Sequence, residues 1–138
     1  MLKLIVGVKG SGKTSRLVDE LNKQANGPER NIICIERGNR LDLLVNPRVR
    51  LIDINEYPVH SLEQLLSFIA GLNARDYDIT DIFIDSICKV ADIKIQEVNI
   101  KDFLEQLALL SNQTKTIITG IVTSDVADLD PSLKQYIE

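Results

Sequence analysis

The chain has 138 residues, a length typical of one domain, and its 44% hydrophobic and 26% charged residues exclude an intrinsically disordered protein. A formal net charge of −4 argues against a protein that binds nucleic acid through its overall charge, so we expect no nucleic-acid partner. The longest apolar runs are far shorter than the roughly 20 residues of a bilayer span, and no signal-peptide pattern follows Met1, so we expect a cytoplasmic protein with one domain over residues 1–138.

Five short apolar runs predict β-strands. They are rich in β-branched and aliphatic residues and are nearly continuous instead of alternating, which is typical of strands covered on both faces of a parallel sheet. In chain order the runs are Leu2–Val6, Asn31–Ile35, Val49–Asp53, Ile82–Asp85 and Thr116–Val122.

Apolar residues at the helical period, together with capping residues, predict three longer helices and a short C-terminal one. The predicted helices run from Lys13 to Ala25, from Ser61 to Gly71, from Ile100 to Ser111 and onward from Asp130. Residues 37–47 and 86–98 show no clear period, so we predict loops or irregular segments there. Strands that alternate with helices predict an α/β fold of three layers, with a mostly parallel sheet of about five strands and helices on both faces.

The stretch GVKGSGKT, from Gly7 to Thr14, lies where the first apolar strand is followed by the first amphipathic helix. It matches the pattern G-x-x-x-x-G-K-[ST] of phosphate-binding loops, and the position between a strand and a helix is the context that the pattern requires. Glycines allow the backbone to turn tightly and to present several N–H groups to one phosphate. The motif therefore predicts a P-loop NTPase fold that binds a nucleoside triphosphate.

Each residue of this stretch has a predicted role. Lys13 reaches the β- and γ-phosphates as a cation, the hydroxyl of Thr14 binds Mg²⁺, and the unpaired N–H groups of the first helical turn favour an anion. The predicted nucleotide-binding residues are Gly7, Gly10, Ser11, Gly12, Lys13, Thr14 and Ser15.

An acidic residue at the end of an apolar strand is expected to hold the Mg²⁺ ion through its water shell. Asp85, at the end of IFID, is our candidate, and we name Lys13 and Asp85 as catalytic residues and Thr14 and Asp85 as metal-side residues. Asp53 and Glu36, at the ends of VRLID and IICIE, are rivals for the metal, although such acids also serve as turn residues or helix caps.

The sequence offers several candidates for the catalytic base. Ser86 follows Asp85, at the position where many P-loop ATPases have a glutamate that polarises the attacking water. The open alternatives for the base are Glu36, Asp53, Glu56 or a partner's side chain, and the open candidates for sensing the γ-phosphate are Thr119, Thr123 and Ser124.

The sequence lacks the segment with which guanine-specific P-loop proteins recognise their nucleotide. No Asn-Lys-x-Asp segment is present to read guanine, so we expect ATP and Mg²⁺ to be the cofactors. Tyr57, Tyr77 or an arginine are candidates to stack on the adenine.

Four segments resemble a family of small bacterial P-loop ATP-binding proteins, sometimes labelled twitching-motility ATPase-like: KLIVGVKGSGKT, VRLIDINEY, YDITDIFID and SDVADLDPSL. The resemblance spans most of the chain, and the P-loop is its most specific part. It implies a P-loop NTPase fold that binds ATP, with Gly7–Thr14 on the phosphates and Asp85 at the metal. The chain departs from true twitching-motility motors, which are far longer and carry an additional N-terminal domain and acidic and histidine motifs.

We therefore expect a Mg-ATP-binding protein with slow or partner-stimulated ATPase activity, and its partner is an unidentified protein or a second copy of the chain. One alternative is a small kinase that uses Arg37, Arg40, Arg48 or Arg50 as lid arginines. The other alternative is an ATP-dependent switch that does not hydrolyse its nucleotide, which Ser86 suggests.

Overall fold

A five-stranded sheet, in which every pairing is parallel, organises the computed structural model, which describes residues 1–138. The strands lie in the order β1-β5-β4-β2-β3. All five predicted strands are confirmed to within one residue at each end, and the sheet is entirely rather than mostly parallel. The strands are β1 (Leu2–Gly7), β2 (Ile32–Glu36), β3 (Arg50–Asp53), β4 (Asp81–Ile84) and β5 (Ile117–Thr123).

Helices cover both faces of the sheet, as the continuous apolar strands predict. One face packs against α1 and the segment of residues 41–49, and the other face packs against the remaining three helices. The α-helices are α1 (Lys13–Ala25), α2 (Leu62–Arg75), α3 (Ile87–Val90) and α4 (Ile100–Thr114). Short 3-10 helices lie at Ile54–Glu56, Ile95–Glu97, Val126–Asp128 and Pro131–Tyr136.

The predicted starts at Ser61 and Asp130 are confirmed by the capping hydrogen bonds of these two residues. The side chain of Ser61 accepts a hydrogen bond from the backbone N–H of Gln64 at 3.0 Å and so begins α2. The side chain of Asp130 accepts from the N–H of Ser132 and begins the last helix, which is a 3-10 helix. These caps satisfy N–H groups that the helix itself leaves unpaired.

Two expectations about helices are wrong. Helix α2 does not end at Gly71 but continues by one turn to Arg75, because Asn73 is buried there and accepts a hydrogen bond from Thr116 through its side-chain oxygen. Tertiary packing therefore outweighs the low helix propensity of glycine. Residues 86–98, predicted to be irregular, contain α3, whose four residues are too few to show a helical period.

The parallel arrangement brings the carboxyl ends of all five strands to one edge of the sheet. Gly7 pairs with Thr123, and the N–H of Asp85 bonds to the carbonyl of Ile35. Ligands of open α/β sheets bind at this edge, and the predicted site residues lie on it. Asp85 does not follow a strand adjacent to β1, because β5 lies between β1 and β4. No helix combines the length and the apolar composition that a membrane crossing requires.

Candidate functional site

The loop of residues Gly7–Thr14, called the glycine loop below, joins β1 to α1 in a conformation that depends on glycine. Gly10 and Gly12 have φ angles of +82° and +84°, in the left-handed region that side chains rarely adopt. At Gly7 the backbone is ordinary, but a Cβ atom there would lie 2.5 Å from the Ser11 hydroxyl oxygen. Gly10 and Gly12 therefore suit the turn, whereas a side chain at Gly7 would displace the Ser11 hydroxyl from its hydrogen bond to Val8.

Lys13 is the first residue of α1 and is almost completely buried, with 8% of its surface exposed. Its ammonium group donates a hydrogen bond to the carbonyl of Val8 at 2.7 Å, and the hydroxyl of Ser11 donates to the same oxygen at 2.7 Å. A buried cation normally needs an anionic partner, and no carboxylate lies within ion-pair distance of Lys13. The ammonium also donates to the Ser11 hydroxyl at 3.5 Å, so two of its three N–H groups bond to the glycine loop and one is left for an anion.

Thr14 and Asp85 meet across the site. The Thr14 hydroxyl donates to the Asp85 carboxylate at 3.3 Å, although 71 residues separate the two in sequence. Asp85 follows β4 and is 8% exposed. A hydroxyl and a carboxylate placed together supply the oxygen ligands that Mg²⁺ prefers.

The two rival acids have other partners. One carboxylate oxygen of Asp53 accepts from the N–H groups of Gly38 at 2.9 Å and Asn55 at 3.0 Å, so this side chain caps the 3-10 helix that follows β3. The hydrogen bond from Gly38, supported by the one from Asn55, lowers the pKa of Asp53. Asp53 does not border the cleft beside the glycine loop.

Glu36 ends β2 and is buried, with its carboxylate accepting the N–H of Leu41 at 3.2 Å. Burial raises the pKa of Glu36 to about 7, and the nearby carboxylates of Asp42 and Asp85 add to the increase. Glu36 also does not border the cleft. Its carboxyl group positions the chain at Leu41.

A cleft of about 620 Å³ opens beside the glycine loop. Asp85 is its one acidic residue, whereas four cationic side chains border it, which favours a polyanionic ligand. The cleft is bordered by Lys9, Gly10, Gly12, Lys13, Thr14, Ser15, Arg40, Asp85, Ser86, Lys89, Ile121 and Thr123. Gly7 and Ser11 lie in the same loop but do not border the cleft.

Helix α3 brings a residue to the cleft that sequence reasoning missed. Lys89 borders the cleft because α3 packs closely on β5 at Gly120, where an added Cβ would lie 2.7 Å from the Cδ1 atom of Ile87. Ser86, which precedes α3, has a φ angle of +55°, an uncommon conformation for serine. Nothing in a four-residue helix signals Lys89 in advance.

The remaining candidates for sensing the γ-phosphate, for the catalytic base and for stacking differ in whether they border the cleft. Of the three hydroxyl residues, Thr123 borders the cleft, Ser124 donates to the carbonyl of Asp125 outside it, and Thr119 is buried in the sheet without a partner. Glu56 lies outside the cleft. Neither candidate stacking residue borders it either: Tyr57 packs against Phe68 and Tyr77 is exposed beyond α2.

Comparison with known proteins adds no relative: no protein-family model and no curated protein matches the chain.

The glycine loop leads to a prediction about stability. Gly12→Ala places a side chain at φ +84° and should lower the free energy of unfolding by about 1 kcal/mol. Gly71→Ala lies within α2 with open space around it and should raise that free energy by about 0.5–1 kcal/mol. Urea denaturation of both variants measures the difference, and equal effects of the same sign would contradict the assigned loop conformation.

Glu36 leads to a prediction about pH. Its pKa of about 7 in the folded protein exceeds the usual value of 4.5, so the folded state retains a proton that the unfolded state loses. The contribution of Glu36 to stability is therefore full below pH 4.5 and falls by up to about 3 kcal/mol as the pH rises to 7.

Glu36→Gln keeps an acceptor for Leu41 and should remove this decrease. Denaturation curves measured from pH 4.5 to 7 compare the two proteins. Parallel pH profiles for wild type and Glu36→Gln would show that this carboxyl group is not responsible.

Proposed function

We propose that the protein is a P-loop NTPase that binds Mg-ATP and hydrolyses it slowly or when a partner stimulates it. The observation that carries the proposal is the contact between Thr14 and Asp85 beside the glycine loop. It joins the two predicted metal-side residues beside a loop that matches the phosphate-binding sequence pattern and has two glycines at positive φ.

Each part of the cleft supports a role toward the nucleotide. The unpaired N–H groups at the start of α1 and the ammonium of Lys13 bind phosphate oxygens. Thr14 and Asp85 hold Mg²⁺, which when bound neutralises charge on the phosphate groups. Lys9 and Lys89 add positive charge at the rim, which attracts the polyanion and increases its rate of association.

We propose slow turnover because the cleft has no second carboxylate that could act as a catalytic base. Asp85 is the one carboxylate that borders it, and Ser86 occupies the position that follows. Glu36 is directed toward the backbone of Leu41 and does not border the cleft. No carboxylate other than the proposed metal-side acid is therefore placed to take a proton from the attacking water.

The lack of a second carboxylate at the cleft also favours another candidate function, a switch that binds ATP without hydrolysing it. In that function the nucleotide changes the position of the segments after Glu36 and Asp85, which contribute Arg40, Ser86 and Lys89 to the cleft. Tight binding of ATP without phosphate release, in the presence or absence of cell extract, would distinguish this switch from an ATPase.

The kinase alternative has less support. Arg37 and Arg48 donate to backbone carbonyls, and only Arg40 of the four candidate lid arginines borders the cleft.

Binding of Mg-ATP tests the proposal directly. Isothermal titration calorimetry of wild type should detect binding, and Lys13→Ala should weaken it at least 100-fold because a buried cation beside the phosphates is lost. Lys23→Ala, in the last turn of the same helix, is the matched control and should bind as wild type does. Absence of binding by wild type, or equal binding by Lys13→Ala, would overturn the proposed function.

A further inference from the structure

Residues Arg37–Leu41, which follow β2, form a segment that is fixed at both ends. The guanidinium group of Arg37 donates to the carbonyls of Lys89, Val59 and Val90 and to the side chain of Asn55, at 2.7–2.9 Å. These bonds join the end of β2 to α3 and to the chain after β3. Arg37 is therefore occupied by structural contacts and is not available to a ligand.

Two carboxylates anchor the rest of this segment through its backbone. Asp53 accepts the N–H of Gly38 at 2.9 Å, and buried Glu36 accepts the N–H of Leu41 at 3.2 Å. The backbone between Gly38 and Leu41 is therefore restrained, and Arg40 lies within this restrained part.

The side chain of Arg40 extends into the cleft of the glycine loop. Its guanidinium nitrogen lies 3.8 Å from Asp85 Oδ2, while the other oxygen of Asp85 accepts the Thr14 hydroxyl. The Arg40 side chain is 63% exposed, and exposed ion pairs of this length stabilise a protein little. Loss of the Arg40–Asp85 contact in favour of a stronger one therefore costs little free energy.

A triphosphate offers that better contact. A guanidinium group is planar and has five N–H donors, which suit the oxygens of a phosphate group. Lys13 and Thr14 belong to the glycine loop and Arg40 to the segment after β2, and all three border the cleft together with Asp85. Because Arg40 contacts Asp85, the proposed metal-side acid, it would lie beside the phosphates whose charge the metal neutralises.

We propose that Arg40 is an arginine supplied by the chain itself to the γ-phosphate, and that it lies beside Asp85 when no nucleotide is bound. This inference rests on the proposed function and adds a catalytic residue to it. With Mg-ATP bound, Thr14 and Asp85 would hold the metal, and the Arg40 guanidinium would exchange its contact with Asp85 for the γ-phosphate oxygens.

The role of Arg40 in the reaction is electrostatic. The oxygen of water forms a bond to the γ-phosphorus, the bond to the β–γ bridging oxygen breaks with its electron pair going to ADP, and the proton of water passes to solvent. Arg40 stabilises the charge on the γ-phosphate oxygens during this step.

Comparison of ATP with ADP tests the proposal, because only ATP has the phosphate group that Arg40 contacts. Calorimetry should show that Arg40→Ala weakens Mg-ATP binding about tenfold and leaves Mg-ADP binding unchanged. Phosphate release at saturating ATP should fall at least 100-fold, and Arg40→Lys should restore part of the loss in both measurements. The thermal unfolding temperature should not change, since the Arg40 side chain is mostly exposed.

Arg50→Ala is the matched control, because Arg50 is exposed on the edge strand β3 outside the cleft. It should behave as wild type in all three measurements. The proposal is overturned if wild type binds ATP while Arg40→Ala resembles Arg50→Ala, or if Arg40→Ala weakens ATP and ADP binding equally. Failure of wild type to bind ATP would instead remove the proposed function, and this inference with it.

Discussion

The contact between the Thr14 hydroxyl and the Asp85 carboxylate is the interaction on which the account of the site depends. It exists because β1 and β4 are parallel strands of one sheet, so that the loop after β1 and the acid after β4 emerge at the same edge. Strand β5 separates the two, and its small residue Gly120 allows α3 to pack closely beside it. The topology of the sheet thus brings the Thr14 hydroxyl and the Asp85 carboxylate together.

Electrostatics at this edge follow from the same arrangement. Four cationic side chains and one carboxylate border the cleft, which gives it an excess of positive charge in a chain whose formal net charge is −4. The other acids near the site have local roles: Asp53 caps a 3-10 helix and Glu36 holds Leu41. Burial favours the neutral form of Glu36, and this reduces the repulsion that Asp85 would otherwise experience.

Much of the fold could be predicted from the sequence, because continuous apolar strands and periodic helices are strong signals. The five strands and the starts of α1, α2 and α4 are examples. The end of α2 could not be predicted at Gly71, since a buried contact between Asn73 and Thr116 extends the helix beyond it. Helix α3 was missed because four residues carry no period.

The residues of the site also divide into those that the sequence predicts and those that only the structure identifies. Its glycine loop is contiguous in sequence, so a motif suffices to identify the loop residues. Asp85, Asp53 and Glu36 all end apolar strands, and the sequence alone does not show which of them contacts Thr14. The arginines of residues 37–50 likewise look equivalent in sequence, yet their partners differ: backbone carbonyls for Arg37 and Arg48, and Asp85 for Arg40.

Paramagnetic NMR is the most direct test of the proposed metal-nucleotide site at Thr14 and Asp85. Mn²⁺, added with ATP to ¹⁵N-labelled protein, broadens the amide signals of residues close to the bound metal. The account predicts selective broadening of residues 10–15 and 85–86, with the signal of Tyr77, on the loop beyond α2, unaffected. Broadening centred on Asp53, or no selective broadening at all, would contradict it.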